Sequence, residues 1–243
     1  MTSGAVERRI FIVGVPRSGT TLVQSLLAAH SRVVSFTESH FFSRHFRLLP
    51  PSTEAVLVRN PLPRLRKFLR ENRIQDDARE AMEADLSRLL PPAPLLPLKS
   101  RAVARQLMRS LDEIAASRQR PIWVEKTPRH LRYVPFLRRL SGSACDTRFV
   151  HVIRQGLDTV ASLHRASQTW ERPYDLTTCV ERWNRDTRFS LRRAESSDDR
   201  FVFYEELTQR PEEALKRLCA ELDLPWEPGM LERHGDSAPD LIA

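Results

Sequence analysis

The sequence predicts an α/β fold, a mostly parallel sheet with helices on both faces, and three observations predict it. Short apolar runs that end in a polar or glycine turn recur at residues 10–15, 122–124, 149–153 and 201–204, each followed by helical spacing. Alternation of this kind builds βαβ units. A further apolar run at 33–36 adds a fifth strand. Between there and the run at 122–124 the chain changes character: Pro50, Pro51, Pro61, Pro63 and the PPAPLLPL stretch from Pro91 punctuate segments of helical spacing at 76–90 and 101–118. Residues 43–120 are therefore read as a helical insertion. Insertions on such sheets often form a wall of the cleft, because ligands bind beyond the carboxyl ends of the strands.

A chain of 243 residues is long for one small domain and short for two full ones, so residues 1–243 are expected to form one domain that carries the insertion. Hydrophobic residues at 41% and charged residues at 29% exclude a disordered tail, a collagen and a disulfide scaffold. The net charge is +8, and only four of the 39 basic residues are lysines: Lys67, Lys99, Lys126 and Lys216. Such a surplus suits an anionic partner, whether nucleic acid, lipid head group or phosphorylated small molecule, although arginine enrichment also follows genome composition. Cys145, Cys179 and Cys219 lack the close pairing of zinc or redox motifs, which implies reduced core thiols in a cytoplasmic protein. The apolar run after Arg9 is too short for a signal peptide or a membrane span, so neither secretion nor membrane anchoring is expected.

The strongest local signal is IFIVGVPRSGTTLVQSLLAAH, a buried strand, a turn and a helix. Gly14 and Gly19 have the G-x-x-x-x-G spacing of a phosphate-cradling loop, in which backbone N–H groups and the following helix N-terminus bind an anion. This makes the predicted architecture a P-loop-type parallel sheet flanked by helices. Departures from a nucleotide triphosphatase are informative. Thr20 stands where a phosphate-reaching lysine is needed, and the strand 149–153 ends in Arg154 rather than in an acid that holds magnesium. Arg17, Ser18, Thr20 and Thr21 offer cations and hydroxyls instead, a loop built to hold phosphate without a metal. Glu125 is the one residue that fits a magnesium reading.

PRSGTT, EKTP and VIRQGLDTVASL together resemble the sulfotransferases that use 3′-phosphoadenosine 5′-phosphosulfate (PAPS), over most of the chain apart from the insertion and the last fifteen or so residues. The resemblance implies that Arg17, Ser18, Gly19, Thr20 and Thr21 bind the 5′-phosphosulfate, and that Arg154 and Ser162 hold the 3′-phosphate, with Asp158 matching the acid between them. Arg154 leaves the strand's carboxyl end and Ser162 lies about two helical turns on, so both can approach one phosphate. The family's R-D/N-P here reads Arg154-Gln155-Gly156; loss of the proline leaves helix initiation less fixed. The segment from Tyr204 to Trp226 resembles the family's late segment, in which the tyrosine contacts adenine, and Arg233-His234-Gly235 is similar to a remnant of its Arg-x-Gly loop for the 3′-phosphate.

Sulfuryl transfer needs a base for the acceptor hydroxyl's proton and cations for charge growing on the leaving phosphate. Glu38 is the candidate base: it follows the strand 33–36, expected beside the phosphate-loop strand, and ESHFF resembles the E-x-H-F-F of glycosaminoglycan sulfotransferases. SGTTLVQSLLAAHSRVV with the following Glu is similar to the corresponding stretch of tyrosylprotein sulfotransferases. His40 is the alternative base, or a helper on the substrate side. The resemblance puts Lys126, in EKTP, in the catalytic cleft, where it shares charge stabilisation with Arg17; Glu125 then orients this loop, and His130 is either cleft lining or structural.

Three function classes follow. A PAPS-dependent sulfotransferase acting on a hydroxyl comes first, with 3′-phosphoadenosine 5′-phosphate (PAP) as product and no metal. A P-loop kinase-like phosphotransferase is the alternative, favoured by the loop spacing and Glu125 and opposed by Thr20. A nucleic-acid-binding module rests on charge alone, and its arginines lack the aromatic interleaving of a single-strand channel. A carbohydrate, a protein tyrosine and a small metabolite are equally compatible acceptors.

Overall fold

The computed structural model describes residues 6–90, 97–142, 145–194 and 196–237, with no account of the side chains of residues 97, 98, 236 and 237. The first six residues of the PPAPLLPL stretch lie outside the described residues. In chain order the elements begin with β1 (Arg8–Gly14), α1 (Thr20–Ala28), β2 (Val33–Ser35) and α2 (Phe41–His45). The insertion follows with β3 (Phe46–Leu49), β4 (Glu54–Leu57), α3 (Leu62–Glu71), α4 (Asp76–Leu89) and α5 (Pro97–Ser117). Next come β5 (Ile122–Lys126), a 3-10 turn (Pro128–Tyr133), α6 (Val134–Ser141), β6 (Asp146–Ile153), α7 (Gly156–Ser167), α8 (Leu176–Leu191) and β7 (Asp199–Phe203). The described chain closes with α9 (Tyr204–Gln209), α10 (Pro211–Glu221), α11 (Gly229–Glu232) and α12 (His234–Ser237).

Five strands form one parallel sheet in the order β2-β5-β1-β6-β7. β1 is central and apolar on both faces, as a strand covered from both sides must be. Ile10 and Ile12 pack toward α1 and α10, while Phe11 and Val13 pack with Trp123 and Phe149 under the insertion and α6. Parallel pairing sends every carboxyl end to the same edge, and β1 is where the strand order reverses, the place where such sheets hold ligands.

Two expectations are corrected here. The strand at 33–36 is not the neighbour of β1, because β5 lies between them, with Ile10 opposite Val124 and Val33 opposite Ile122. All five residues of β5 are buried, which suits an interior position, whereas three-residue β2 suits an edge. The insertion is also not wholly helical: Phe46–Leu49 and Glu54–Leu57 pair as an antiparallel hairpin. Pro50 and Pro51 sit in the turn between these two short runs and leave each too short for a helix. Helices α4 and α5 match the predicted spacing, α3 lies where no helical segment is predicted, and α3 and α5 bury Leu65, Phe68, Leu107 and Leu111 in the core beneath the sheet.

Candidate active site

All five parallel strands deliver a predicted site residue at or just past the carboxyl end: Arg17 after β1, Glu38 after β2, Lys126 ending β5, Arg154 after β6 and Tyr204 after β7. All five line one cleft of about 680 Å³. Gly19, Thr20, Thr21, His40 and Ser162 line it too. The fold, not proximity in sequence, brings these residues together.

The loop after β1 closes tightly on its surroundings. A Cβ on Gly14 would lie 2.6 Å from the Val152 carbonyl oxygen. Gly19 caps α1 at φ 94° with no side-chain cap, and a Cβ there would lie 2.2 Å from the Tyr204 ring. Only glycine meets both demands. An uncapped helix start leaves first-turn N–H groups for an anion. Arg17, itself left-handed at φ 74°, is exposed, and its Nε donates to Ser162 Oγ at 3.3 Å, so the phosphate loop touches α7. Ser18 differs from expectation: it is buried, its hydroxyl donates to the Val152 carbonyl and its N–H to that of Val15. Its side chain braces the loop from below and does not line the cleft.

Arg154 lies over the Tyr204 ring at 4.4 Å and pairs with Asp158 at 3.3 Å. Tyr204 thereby packs between the phosphate loop and a cationic side chain, a cation–π arrangement. The turn that the missing proline leaves open is fixed otherwise. Trp183 Nε1 donates to the Arg154 carbonyl, its ring packs on Gly156, and the Gln155 N–H donates to Glu205. The sequence held no local signal for this, because Trp183 lies on α8 and Glu205 on α9.

Glu38 bridges two partners. Lys126 Nζ donates to its Oε1 at 2.5 Å, and its Oε2 lies 3.0 Å from His40 Nε2. Burial works to raise the Glu38 pKa, yet the His40 hydrogen bond and the Lys126 charge override it and hold the carboxyl at about 2. Burial lowers the His40 pKa against the pull of Glu38, so at neutral pH the ring is uncharged and its Nε2 carries the hydrogen given to the carboxylate. Its Nδ1 is sealed from solvent and has no partner among the described residues, so the ring meets the cleft's chemistry through Glu38.

The remaining predicted residues are structural. Glu125 is fully buried and accepts from Ser39, Thr127 and His130, which occupies the lone pairs a magnesium reading requires. His130 is buried between Glu125 and the Phe42 N–H, away from the cleft. Arg233-His234-Gly235 packs at the carboxyl end of α1, where Arg233 donates to the Ala29 carbonyl, so it is remote from the phosphate loop at the other end of that helix. Sequence reasoning missed Arg44, Arg129 and Trp170, which line the cleft. Among the described residues of the insertion only Arg44, at its very start, does so; Arg129 comes from the 3-10 turn after β5 and Trp170 from the connection between α7 and α8. Among the described residues no group of His, Cys, Asp and Glu is arranged to hold a metal, and no helix is long and apolar enough to cross a membrane.

Comparison with known proteins agrees with this fold. The chain is 25% identical over 230 residues to protein-tyrosine sulfotransferase A of Caenorhabditis elegans, covering 93% of this chain and 52% of the relative. It is 26% identical over 233 residues to the protein-tyrosine sulfotransferase of Drosophila melanogaster, covering 93% and 40%. The chain thus spans about half or less of these curated relatives. Among solved structures, the sulfotransferase domain from the curacin biosynthetic pathway superposes with a TM-score of 0.60 at 22% identity, covering 94% of this chain and 78% of that one. The sequence model described as "Sulfotransferase family" matches residues 9–228, and the chain belongs to that family.

Proposed function

We propose that this protein transfers the sulfuryl group of PAPS to an acceptor hydroxyl, with Glu38 as general base and no metal. The observation that carries the reading is that one cleft holds both an uncapped helix N-terminus flanked by Arg17 and Arg154 and a carboxylate paired to a buried lysine. These features fit a doubly phosphorylated nucleotide: the loop that Gly19 keeps open offers amides to one phosphate, and Arg154 has a buried Nε without a partner among the described residues. When bound, PAPS supplies an activated sulfuryl group and a phosphate leaving group. The first-turn amides of α1, with Arg17, Thr20 and Thr21, hold the 5′-phosphosulfate end, and Arg154 with Ser162 holds the 3′-phosphate. The Tyr204 ring bounds the nucleotide's side of the cleft. Glu38 accepts the acceptor hydroxyl's proton, His40 orients that carboxylate, and Lys126 and Arg17 offset negative charge as it grows on the leaving oxygens. We read residues 1–243 as one catalytic domain, and three free cysteines fit a reducing cytoplasm.

Titration calorimetry with PAP, ATP–Mg and duplex DNA tests the class. Binding of PAP in strong preference to the other two is expected, with turnover unchanged by excess EDTA; preference for ATP–Mg would return the phosphotransferase reading. Arg154→Ala is expected to weaken PAP by roughly 10- to 100-fold, the loss of a charge-assisted contact. Unchanged PAP affinity in that variant would remove Arg154 from the 3′-phosphate.

Arg44 and Arg129 extend the reading to the acceptor. Both are exposed in the cleft, and among the described residues neither has a carboxylate partner, Arg129 reaching only the Tyr174 hydroxyl, at 3.4 Å. Two such guanidiniums favour a hydroxyl borne by an anionic molecule, whether carbohydrate, tyrosine peptide or metabolite. With a panel of neutral and acidic acceptors and labelled donor, Arg44→Ala and Arg129→Ala should each raise KM for acidic acceptors roughly tenfold and leave neutral ones alone. Equal effects on both kinds would refute the charge argument.

A further inference from the structure

The base sits on an irregular segment. Residues 36–40 belong to no helix or strand, so no repeating backbone ladder fixes Glu38, and side chains must do so. Two of those side chains are charged and absent from the cleft lining: Glu125, which is buried, and Arg64, which is half-buried. Glu125 is 0% exposed and accepts from the Ser39 N–H at 3.1 Å, Ser39 Oγ at 2.8 Å, Thr127 Oγ1 at 2.5 Å and His130 Nδ1 at 3.1 Å. Burial alone would neutralise this carboxyl; His130 and the hydroxyl donors keep it ionised, with its pKa lowered. A buried anion with so many donors is costly to build and does not by itself add stability over an apolar core. Its partners reach the whole segment: Thr127 Oγ1 accepts from the His40 N–H and His130 Nε2 from the Phe42 N–H. From the other side, Arg64 of α3 donates its Nε to the Ser39 carbonyl at 2.7 Å and its Nη2 to the Glu38 carbonyl. Glu71, at 3.7 Å, balances that guanidinium, and Glu125 and Glu38 add to it from farther away.

Neighbouring residues of an extended strand point to opposite sides. Glu125 and Lys126 end β5 back to back, and the Glu38–Ser39 pair crosses them so that Ser39 meets Glu125 inside while Glu38 meets Lys126 in the cleft. Fixing the inner pair fixes the outer one.

We propose that Glu125 and Arg64 are positioning residues that clamp the base-bearing segment from opposite sides and set the reach of Glu38 to Lys126 and the reacting hydroxyl. The insertion thereby takes part in catalysis through α3, although α3 does not line the cleft. For the mechanism the inference rests on Glu38 being the base; for the geometry it does not. The charged and titratable groups facing Glu38 are Lys126 from β5, His40 from its own segment and, at its carbonyl, Arg64 from α3.

The test uses Glu125→Gln, Arg64→Met and Ser39→Ala in the full chain. In the ligand-free protein, carboxyl NMR with labelled glutamate reads the Glu38 titration, which should move up by about one unit or more as its contact with Lys126 loosens. Affinity for PAP, read by calorimetry, should stay unchanged. Uncoupled PAPS hydrolysis, and transfer to the best acceptor of the panel, should fall roughly 10- to 100-fold, the effect of a misplaced catalytic group. A folded variant with unaltered Glu38 titration and wild-type turnover overturns the proposal. So does a parallel loss of melting temperature and PAP affinity with no titration shift, the mark of a merely structural role. If Glu125→Gln does not fold, Arg64→Met and Ser39→Ala decide by the same measurements. Wild-type turnover in Glu38→Gln would sink the base reading alone, since the Glu38 titration in Glu125→Gln still reports the clamp.

Discussion

Glu38→Gln is expected to lower kcat by about 10²- to 10⁴-fold, the range supplied by a positioned general base, while PAP binds as before. The substitution keeps shape and one acceptor oxygen for Lys126 but cannot take a proton. The wild-type carboxyl, held at about 2, is fully ionised at neutral pH, which is the required form, yet so depressed a pKa makes a feeble base. Lys126 accounts for part of that depression, and in the proposed reaction it turns toward the donor. Once it does, Glu38 loses its strongest cationic neighbour and its basicity rises. The acid limb of kcat/KM, which reports the free enzyme, should therefore lie lower in pH than the acid limb of kcat, which reports the complex. The same shift affects stability. Because the folded pKa lies below the ordinary carboxylate value, the contribution is present above about 4.5 and fades as pH falls toward 2. Glu38→Gln should flatten that part of the stability profile. Turnover with labelled donor and calorimetry with PAP check the first claim; wild-type turnover would pass the role of base to His40.

The framework was legible in the sequence because its signals are local. The run 10–15 with Gly14 and Gly19 carries strand, turn and helix start in contiguous residues, and the apolar runs before Lys126, Arg154 and Tyr204 mark strand ends wherever they pair. Pairing order was not legible: β5 inserts between β1 and β2 across a separation of about ninety residues, and nothing within Val33–Ser35 distinguishes an edge from an interior neighbour. The hairpin Phe46–Leu49 with Glu54–Leu57 had a readable turn in Pro50-Pro51, but its runs are too short to separate strand from helix by periodicity. Ser18 illustrates a different limit. Its place in the loop was clear, while the direction of its hydroxyl depends on how closely β6 approaches, as the bond to Val152 shows. Arg64, Trp183 and Arg129 were silent because each acts through contacts across the fold, and an arginine-rich chain offers no contrast by which to single out two or three.

Lys126→Met carries the second large effect and separates the two roles assigned to this lysine. The side chain is 3% exposed and its ammonium pairs with Glu38 alone among the described carboxylates, so methionine fills the volume of its stem without the charge. Loss of a cation aimed at developing charge should reduce kcat by about 10²- to 10³-fold. Burial then acts on Glu38 against His40 only, so its pKa rises from about 2, and the acid limb of kcat/KM shifts to higher pH. Arginine should not substitute, because a planar fork does not occupy the site of a compact ammonium. If Lys126 served only to hold Glu38, the double variant Glu38→Gln/Lys126→Met would be no slower than Glu38→Gln, and PAP would bind both single variants alike. If it also meets the leaving phosphate, the double variant is slower than either single one and PAP affinity falls in Lys126→Met but not in Glu38→Gln. The second outcome is expected, since a buried ammonium that leaves Glu38 must find another anion, and the one the reading places beside it is the donor's 5′-phosphate.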